Sequence, residues 1–542
     1  MWWNSLAQVE RFQDCSGKNT YYRYDERHQL IAVTDALNNT TTLERKPGGE
    51  VLRIDQLTRR LSYNLGGHLT QVEETGYGEK GERPQRSTYF ERDSIGRLLA
   101  RLNDDARQDF EYNDSDRLLS IQRKPTDSGR KLGVTAEKLE FAYDILGRLT
   151  KEASPQGALA YDYDTLGNLT TLTLPTGQHL NHLYYGSGHL HQLNLDGQLI
   201  SDMERDDLHR EIYRTQGKLT SCFGYDAVGR KAWQYATTLP AEKLSQIQNP
   251  LIKPERYVEH AYNSIHRRYE YDLAGELSRT LDKLRGEVSY EYEANGRLLE
   301  QNPKKRFEGE AFRYDAPGNR LNFNTSRFDH VKDNRLREWR NHEYKYDAWG
   351  NLIEKIVGIV RWQTFTYDSE NRLVKTETMA NSQVETTSSY QYDSLGRRVG
   401  KQSNIKGQTD QKHFLWQGLR MLREESPEQS SLYLYEPGSY APLARVDQRE
   451  GEDKNKVYYY HTDQIGTPLE MTDAEGQIVW QAKYAPWGLI KQLVVNEVEQ
   501  NLRFQGQYFD VETGLHYNTF RYYDPEIGRF ITQDPIRLSG GD

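Results

Sequence analysis

A Tyr-Asp step, followed three residues after the Asp by glycine and then by leucine, recurs along this chain. Clear copies are YRYDERHQL at Tyr24, FAYDILGRL at Tyr143, YDYDTLGNL at Tyr163, FGYDAVGR at Tyr225 and YEYDLAGEL at Tyr271. Four more are FRYDAPGNRL at Tyr314, YKYDAWGNL at Tyr346, FTYDSENRL at Tyr367 and YQYDSLGRR at Tyr392. Weaker copies, FEYNDSDRLL at Tyr112 and YEYEANGRLL at Tyr292, fill gaps. Where the register is clean, neighbours stand 20 to 22 residues apart, as Tyr271, Tyr292 and Tyr314 do. A fixed short period of this kind constrains the fold more than any single motif.

The residues of the unit dictate its local structure. The x-Tyr-x-Tyr-Asp run alternates with the period of a strand. The Asp side chain bonds backbone amides two residues on, and the glycine accepts positive φ, so together they close a hairpin turn. Arg-Leu or Asn-Leu then restarts the alternation, placing leucine on one side and its charged neighbour on the other. One repeat is therefore one hairpin, and helical spacing is nearly absent: the chain is expected to be all-β. Because a lone hairpin is marginal, about a dozen must pair edge to edge into a long sheet that twists and curls into a solenoid, a spiral barrel or a closed shell. A propeller is disfavoured, since its blades need a period of about 40 residues. The surplus of 38 Tyr over 15 Phe fits strands whose rings pack on one edge and reach water at the other.

Composition narrows function by exclusion. A formal charge of -9, from 71 basic and 80 acidic residues with no basic half, leaves no nucleic-acid footprint. No stretch reaches the roughly 18 apolar residues of a membrane span, and MWWNSLAQVERFQD lacks the apolar core of a signal peptide. Cys15 and Cys222 are the only cysteines, so a disulfide framework is ruled out and no CxxC metal spacing occurs. QHLNHLYYGSGHLHQL brings His179, His182, His189 and His191 around one turn, where His182 is expected to face His191 across the strands. The odd spacing of His179 and His182 sends them to opposite faces, so no metal site is expected. No phosphate loop or HExxH occurs, and no cofactor is expected.

The repeat resembles the YD repeat of Rhs proteins, of the C subunits of insecticidal Tc toxins and of teneurins. Residues 457 to 534, from VYYYHTDQIGTPLEMTDAEGQIVWQAKYAPWG to LRFQGQYFDVETGLHYNTFRYYDPEIGRFITQDP, are similar to the Rhs-associated core of bacterial polymorphic toxins. The resemblance implies a spiralling β-sheet cocoon. It divides into a YD-repeat shell over 1–400, continuing shell and the start of the core over 401–500, and a core plug with a self-cleavage motif over 501–542. It also implies a toxin cargo beyond Asp542, held inside. Delivery by a type VI apparatus, with a spike protein or chaperone as further partner, would carry the protein from the producer's cytoplasm to a target cell. The chain enters its repeats within about 20 residues, without the N-terminal segment such relatives carry, and is expected to be a fragment or a shortened form. The rival reading is a teneurin-like surface module that binds glycans or another protein.

In Rhs and Tc relatives the core cuts itself from the toxin as an aspartyl autoprotease acting once, after the hydrophobic residue of a DPxGL-like motif. Here that motif is DPIRL, which places the cut between Leu538 and Ser539. The chemistry asks for two carboxylates that share a proton, one activating water and one protonating the leaving amide, with an arginine orienting one of them. Asp534 matches the family aspartate and Arg521, thirteen residues earlier, its arginine. Relatives place a second aspartate where this chain has Tyr522, so Asp524 or Asp510 must substitute. Arg537 stands where the family has glycine, which is expected to slow or abolish cleavage. Read without the resemblance, Asp524-Pro525 and Asp534-Pro535 simply begin turns and Arg521 pairs on a surface strand.

Overall fold

The computed structural model describes residues 1–54, 58–78, 81–239, 263–303, 309–315, 318–321, 331–332, 335–358, 360–381, 383–452, 454–504 and 506–535. Among these the chain forms 48 strands and one short helix, Asp127–Lys131.

Each residue of the repeat has one job, as the hairpin around Gly147 shows. The Asp144 carboxylate accepts the Arg148 N–H at 2.9 Å, and the Gly147 N–H donates to the Asp144 carbonyl at 2.9 Å. Gly147 sits at φ +82°, where a side chain would be strained. Arg148 turns back to the second oxygen of Asp144 at 2.6 Å. The strand register shifts by one between Ala142 and Tyr143, and the same bulge recurs at Tyr163, Tyr225, Tyr271, Tyr367 and Tyr392. Bulges increase local twist, so a bulge in every hairpin curls the sheet steadily.

The tyrosine links one hairpin to the last. Tyr163 donates its hydroxyl to the carbonyl of Leu149, the leucine that follows the preceding turn, at 2.8 Å, while its ring carries the Arg148 guanidinium 4.9 Å from the centroid. Tyr292 to Leu277, Tyr314 to Leu298, Tyr367 to Leu352 and Tyr392 to Leu373 repeat the bond. The hydroxyl thus satisfies a carbonyl next to a bulge, where ladder pairing is broken.

Antiparallel pairing runs in chain order. One sheet of 27 strands extends from Trp2–Trp3 to Glu310–Ala311, a two-stranded piece follows, and a second sheet of 15 strands runs from Glu338–Trp339 to Ile490–Asn496. Hairpin tips of the second sheet meet turns and a strand end of the first. The Ser369 N–H donates to Asp105 at 2.6 Å, the Ser394 N–H to Glu137 at 2.7 Å, and the Lys218 N–H to the Ala474 carbonyl at 2.9 Å. Alternation then gives the second sheet two buried faces. Leu432 and Leu434 pack toward Leu159, Leu172 and Leu193 of the first sheet. Tyr433, between them, packs with the terminal residues Tyr508, Leu515 and Tyr517.

The expected facing of His182 and His191 does not occur. The turn pairs Tyr185 with His189, and a register shift between Leu183 and Tyr184 then sets His182 opposite Leu193, while His189 stacks on His209 with centroids 3.9 Å apart.

If the tyrosine bond carries the inter-hairpin link, Tyr163→Phe lowers unfolding stability by about 1 kcal/mol, the usual net value of such a bond. Tyr89→Phe, an exposed ring, leaves the denaturation midpoint unchanged. Equal midpoints for the two variants would contradict this role.

Candidate functional site

The last described residues fold back as a four-stranded sheet, Tyr508–Asp510, Leu515–Asn518, Arg521–Asp524 and Arg529–Phe530. It lies against the second sheet through buried Tyr508, Leu515, Tyr517, Tyr522, Ile527 and Ile531. In the strand Arg521–Asp524 burial alternates: Tyr522 and Asp524 are buried, Arg521 and Tyr523 only partly so. Arg521 and Asp524, three residues apart, therefore point to opposite faces.

On the more open face Arg521 meets Asp534, Nη1 to Oδ2 at 3.0 Å, with 26% and 39% of the two side chains exposed. The guanidinium lies 3.8 Å from the Phe530 ring centroid, which fixes its plane. The structure thus brings together Arg521 and Asp534. Arg537, Leu538 and Ser539 lie outside the described residues.

On the buried face the other two predicted acids meet cations. Asp524 binds Lys355 Nζ at 2.9 Å through one oxygen and accepts the Glu526 N–H at 3.0 Å through the other. Asp510, wholly buried, is held by Arg398 at 2.6 Å and Lys401 at 3.1 Å. Lys401 also reaches Glu512 at 3.0 Å, and Tyr390 donates to Glu512 at 3.0 Å. Burial alone would raise the Asp510 carboxyl, but Arg398 and Lys401 outweigh it and hold it below the usual carboxylate range.

Arg398 is itself encaged, its guanidinium lying 4.2 Å from the Tyr517 ring centroid, 5.0 Å from Phe414, 5.3 Å from Tyr508 and 5.6 Å from Tyr390. With water excluded, such ring contacts compensate a buried cation by up to about 2 kcal/mol. Sequence reasoning missed Arg398, Lys401 and Lys355. One signal was available: two residues after the turn glycine most copies carry leucine, whereas YDSLGRR carries Arg398.

Residues of the two sheets and the terminal segment line a half-open cavity of about 1590 Å³. Tyr225, Tyr271, Tyr292, Tyr484 and Trp487 line it beside Lys231, Arg285 and Asp463. All four of these tyrosine hydroxyls are bonded to wall carbonyls, Tyr225 to Glu211, Tyr271 to Lys231, Tyr292 to Leu277 and Tyr484 to Pro468.

Comparison with known proteins agrees with this architecture. Residues 261–538 match the Teneurin YD-shell family and residues 143–179 the RHS Repeat. Double-stranded DNA deaminase toxin A of Burkholderia cenocepacia is 38% identical over 99% of this chain and 38% of that protein. Toxin protein Tse5 of Pseudomonas aeruginosa is 30% identical over 66% of this chain and 30% of that protein. The chain thus spans about a third of the length of these relatives. Among solved structures, the Photorhabdus luminescens Tc holotoxin pore superposes with a TM-score of 0.56 at 15% identity, over 96% of this chain and 32% of that one. TcdB2-TccC3 gives 0.54 at 15% identity, over 98% and 35%. At that identity the likeness concerns the fold.

Two buried histidines make the packed layers acid-sensitive. Burial, reinforced by Arg267 and Arg214, pushes His461 from the ordinary 6.5 to about 3, and burial with Arg503 does the same to His516. Both remain neutral in the fold, while the unfolded chain protonates them below about 6.5. Their contribution is intact above that pH and falls by about 1.4 kcal/mol per unit for each as pH drops toward 3. Unfolding free energy measured from pH 7 to pH 5 should therefore decline, and His461→Gln should make the decline shallower. An unchanged slope in that variant would contradict the assignment.

Proposed function

The chain belongs to the Rhs/YD-repeat shell family, and from that premise we propose that it walls in a C-terminal effector and frees it by cutting its own chain after Leu538. The carrying observation is the Arg521–Asp534 pair, held at the end of a segment docked on the face of the second sheet that carries Tyr433. Asp534, oriented by Arg521, takes a proton from water, which adds to the Leu538 carbonyl. The same carboxyl then returns the proton to the Ser539 nitrogen as the C–N bond breaks, and the new carboxyl passes its proton to the amine, leaving a carboxylate and an ammonium. Asp524 and Asp510, engaged by cations on the other face, are assigned to holding the segment rather than to proton transfer. A weak catalyst suffices, because the bond is intramolecular and breaks once.

The cavity supports the enclosing role. Four of its lining tyrosines have their hydroxyls bonded into the wall, and its charges are mixed, so an enclosed chain would meet few large apolar patches on which to fold. Both curated relatives are toxins by name and extend well beyond the part matched here. The effector is carried from the producing cell into a competitor by a type VI apparatus, with a spike protein or chaperone as partner.

The test is a chain continued past Asp542 into a reporter domain. It should split into a shell fragment and a reporter beginning at Ser539 that separate only on denaturation. Arg521→Ala and Asp534→Asn should each remain intact, whereas Asp524→Asn and Asp510→Asn should retain slowed cleavage. A reporter starting at another residue, or normal processing of both Arg521→Ala and Asp534→Asn, would overturn the proposal.

A further inference from the structure

The terminal segment contains the same acidic turn twice, fourteen residues apart: Tyr508-Phe-Asp510-Val-Glu512-Thr-Gly514 and Tyr522-Tyr-Asp524-Pro-Glu526-Ile-Gly528. The two turns share a backbone fold. Gly514 donates its N–H to the Asp510 carbonyl at 2.8 Å, and Gly528 donates to Asp524 at 2.8 Å. The glycines sit at φ +75° and +70°.

Each turn docks on a YD hairpin at the same address. Lys401 stands five residues after the turn glycine Gly396 and bridges Asp510 and Glu512 at 3.1 and 3.0 Å. Lys355 stands five residues after Gly350 and bridges Asp524 and Glu526 at 2.9 and 3.2 Å. Two residues after each glycine the wall donates a backbone N–H to the segment: Arg398 to the Tyr517 hydroxyl at 2.9 Å, and Leu352 to the Ile531 carbonyl at 3.0 Å. Tyr517 and Ile531 are each three residues past their own glycine. Even the first tyrosine of each YxYD step takes part: Tyr390 bonds Glu512, and the Tyr344 ring lies 6.0 Å from Lys355 Nζ.

From this correspondence we infer that the segment is a duplicated docking module, with Lys401 and Lys355 as two positioning residues that fix its register on the wall. The hairpin between them carries neutral Thr376 at the same address, so the pins fall on alternate hairpins, four strands or roughly 19 Å apart. A slip by one module is opposed by Arg398. It adds a second cation for Asp510, whereas the equivalent Leu352 would leave that fully buried acid short of one. Because Lys355 holds the turn next to Arg521 and Asp534, its pin sets where the chain end arrives. That last consequence rests on the self-cleavage reading; the docking does not.

Hydrogen exchange on the full chain, read separately over 508–518 and 522–531, tests the pins. Lys355→Met should speed exchange about tenfold in 522–531 while largely sparing 508–518, and Lys401→Met should do the reverse. Lys355→Arg should restore protection. Should Lys401→Met not fold, the charge-balanced pair Lys401→Met and Glu512→Gln, which leaves Arg398 on Asp510, should fold, with 508–518 still exchanging faster than in the parent. Equal loosening of both stretches by either lysine variant, or no change in either, would overturn the inference. In the reporter-fused chain Lys355→Met should also slow cleavage about tenfold. A parent that never cleaves would refute the self-cleavage reading and leave the exchange result to decide the docking.

Discussion

The bond from a repeat tyrosine to the leucine carbonyl of the preceding hairpin is the interaction on which the rest of the structure depends. A hairpin bent by a bulge has an unpaired backbone group at its bend, and a long array of such bends would otherwise fray. Tyr163, Tyr292, Tyr367 and Tyr392 each close that gap. The repeat arginine covers the ring where it can, as Arg148 does over Tyr163 and Arg372 over Tyr392. Curvature and cohesion thus come from the same few residues, and the winding brings later hairpin tips onto earlier hairpins.

Winding brings two different surfaces onto one sheet. Over residues 414 to 460 successive side chains face the first sheet and the terminal segment alternately, so leucines and tyrosines interleave. The leucine face is ordinary packing. The tyrosine face also carries buried cations, among them Arg398, Lys401 and Lys355, which meet the acids of the terminal segment. Breaking one member of such a buried pair costs about 3–5 kcal/mol, while matched pairs contribute little net stability. Their use here is placement: they make one register of the segment much better than its neighbours.

The hairpins were legible in the sequence because each residue of Tyr-Asp-x-x-Gly-Arg-Leu acts within its own hairpin or the adjacent one. Asp144 capping its turn and Gly147 at positive φ follow from residue chemistry alone. The site was only partly legible. Arg521 and Asp534 do meet, but the partners of Asp524 and Asp510 sit more than a hundred residues away, at Lys355 and Lys401, where local pattern carries no distance information. Two clues were present nonetheless. The odd spacing of Arg521 and Asp524 along a strand already sent them to opposite faces, and the acidic turn repeats at a fixed interval. The expected pairing of His182 with His191 failed by two residues, one because the turn pairs Tyr185 with His189 and one because the bulge at Tyr184 shifts the strands again.

The central claim is that the terminal segment lies beneath the wall and delivers a single bond to Asp534. A cryo-EM map of the chain continued past Asp542 tests it most directly. The account predicts density for Lys401 between Asp510 and Glu512 and for Lys355 between Asp524 and Glu526, with a chain break after Leu538 close to Asp534. Unbroken density running past Ser539, or a terminal segment lying outside the wall, would contradict it.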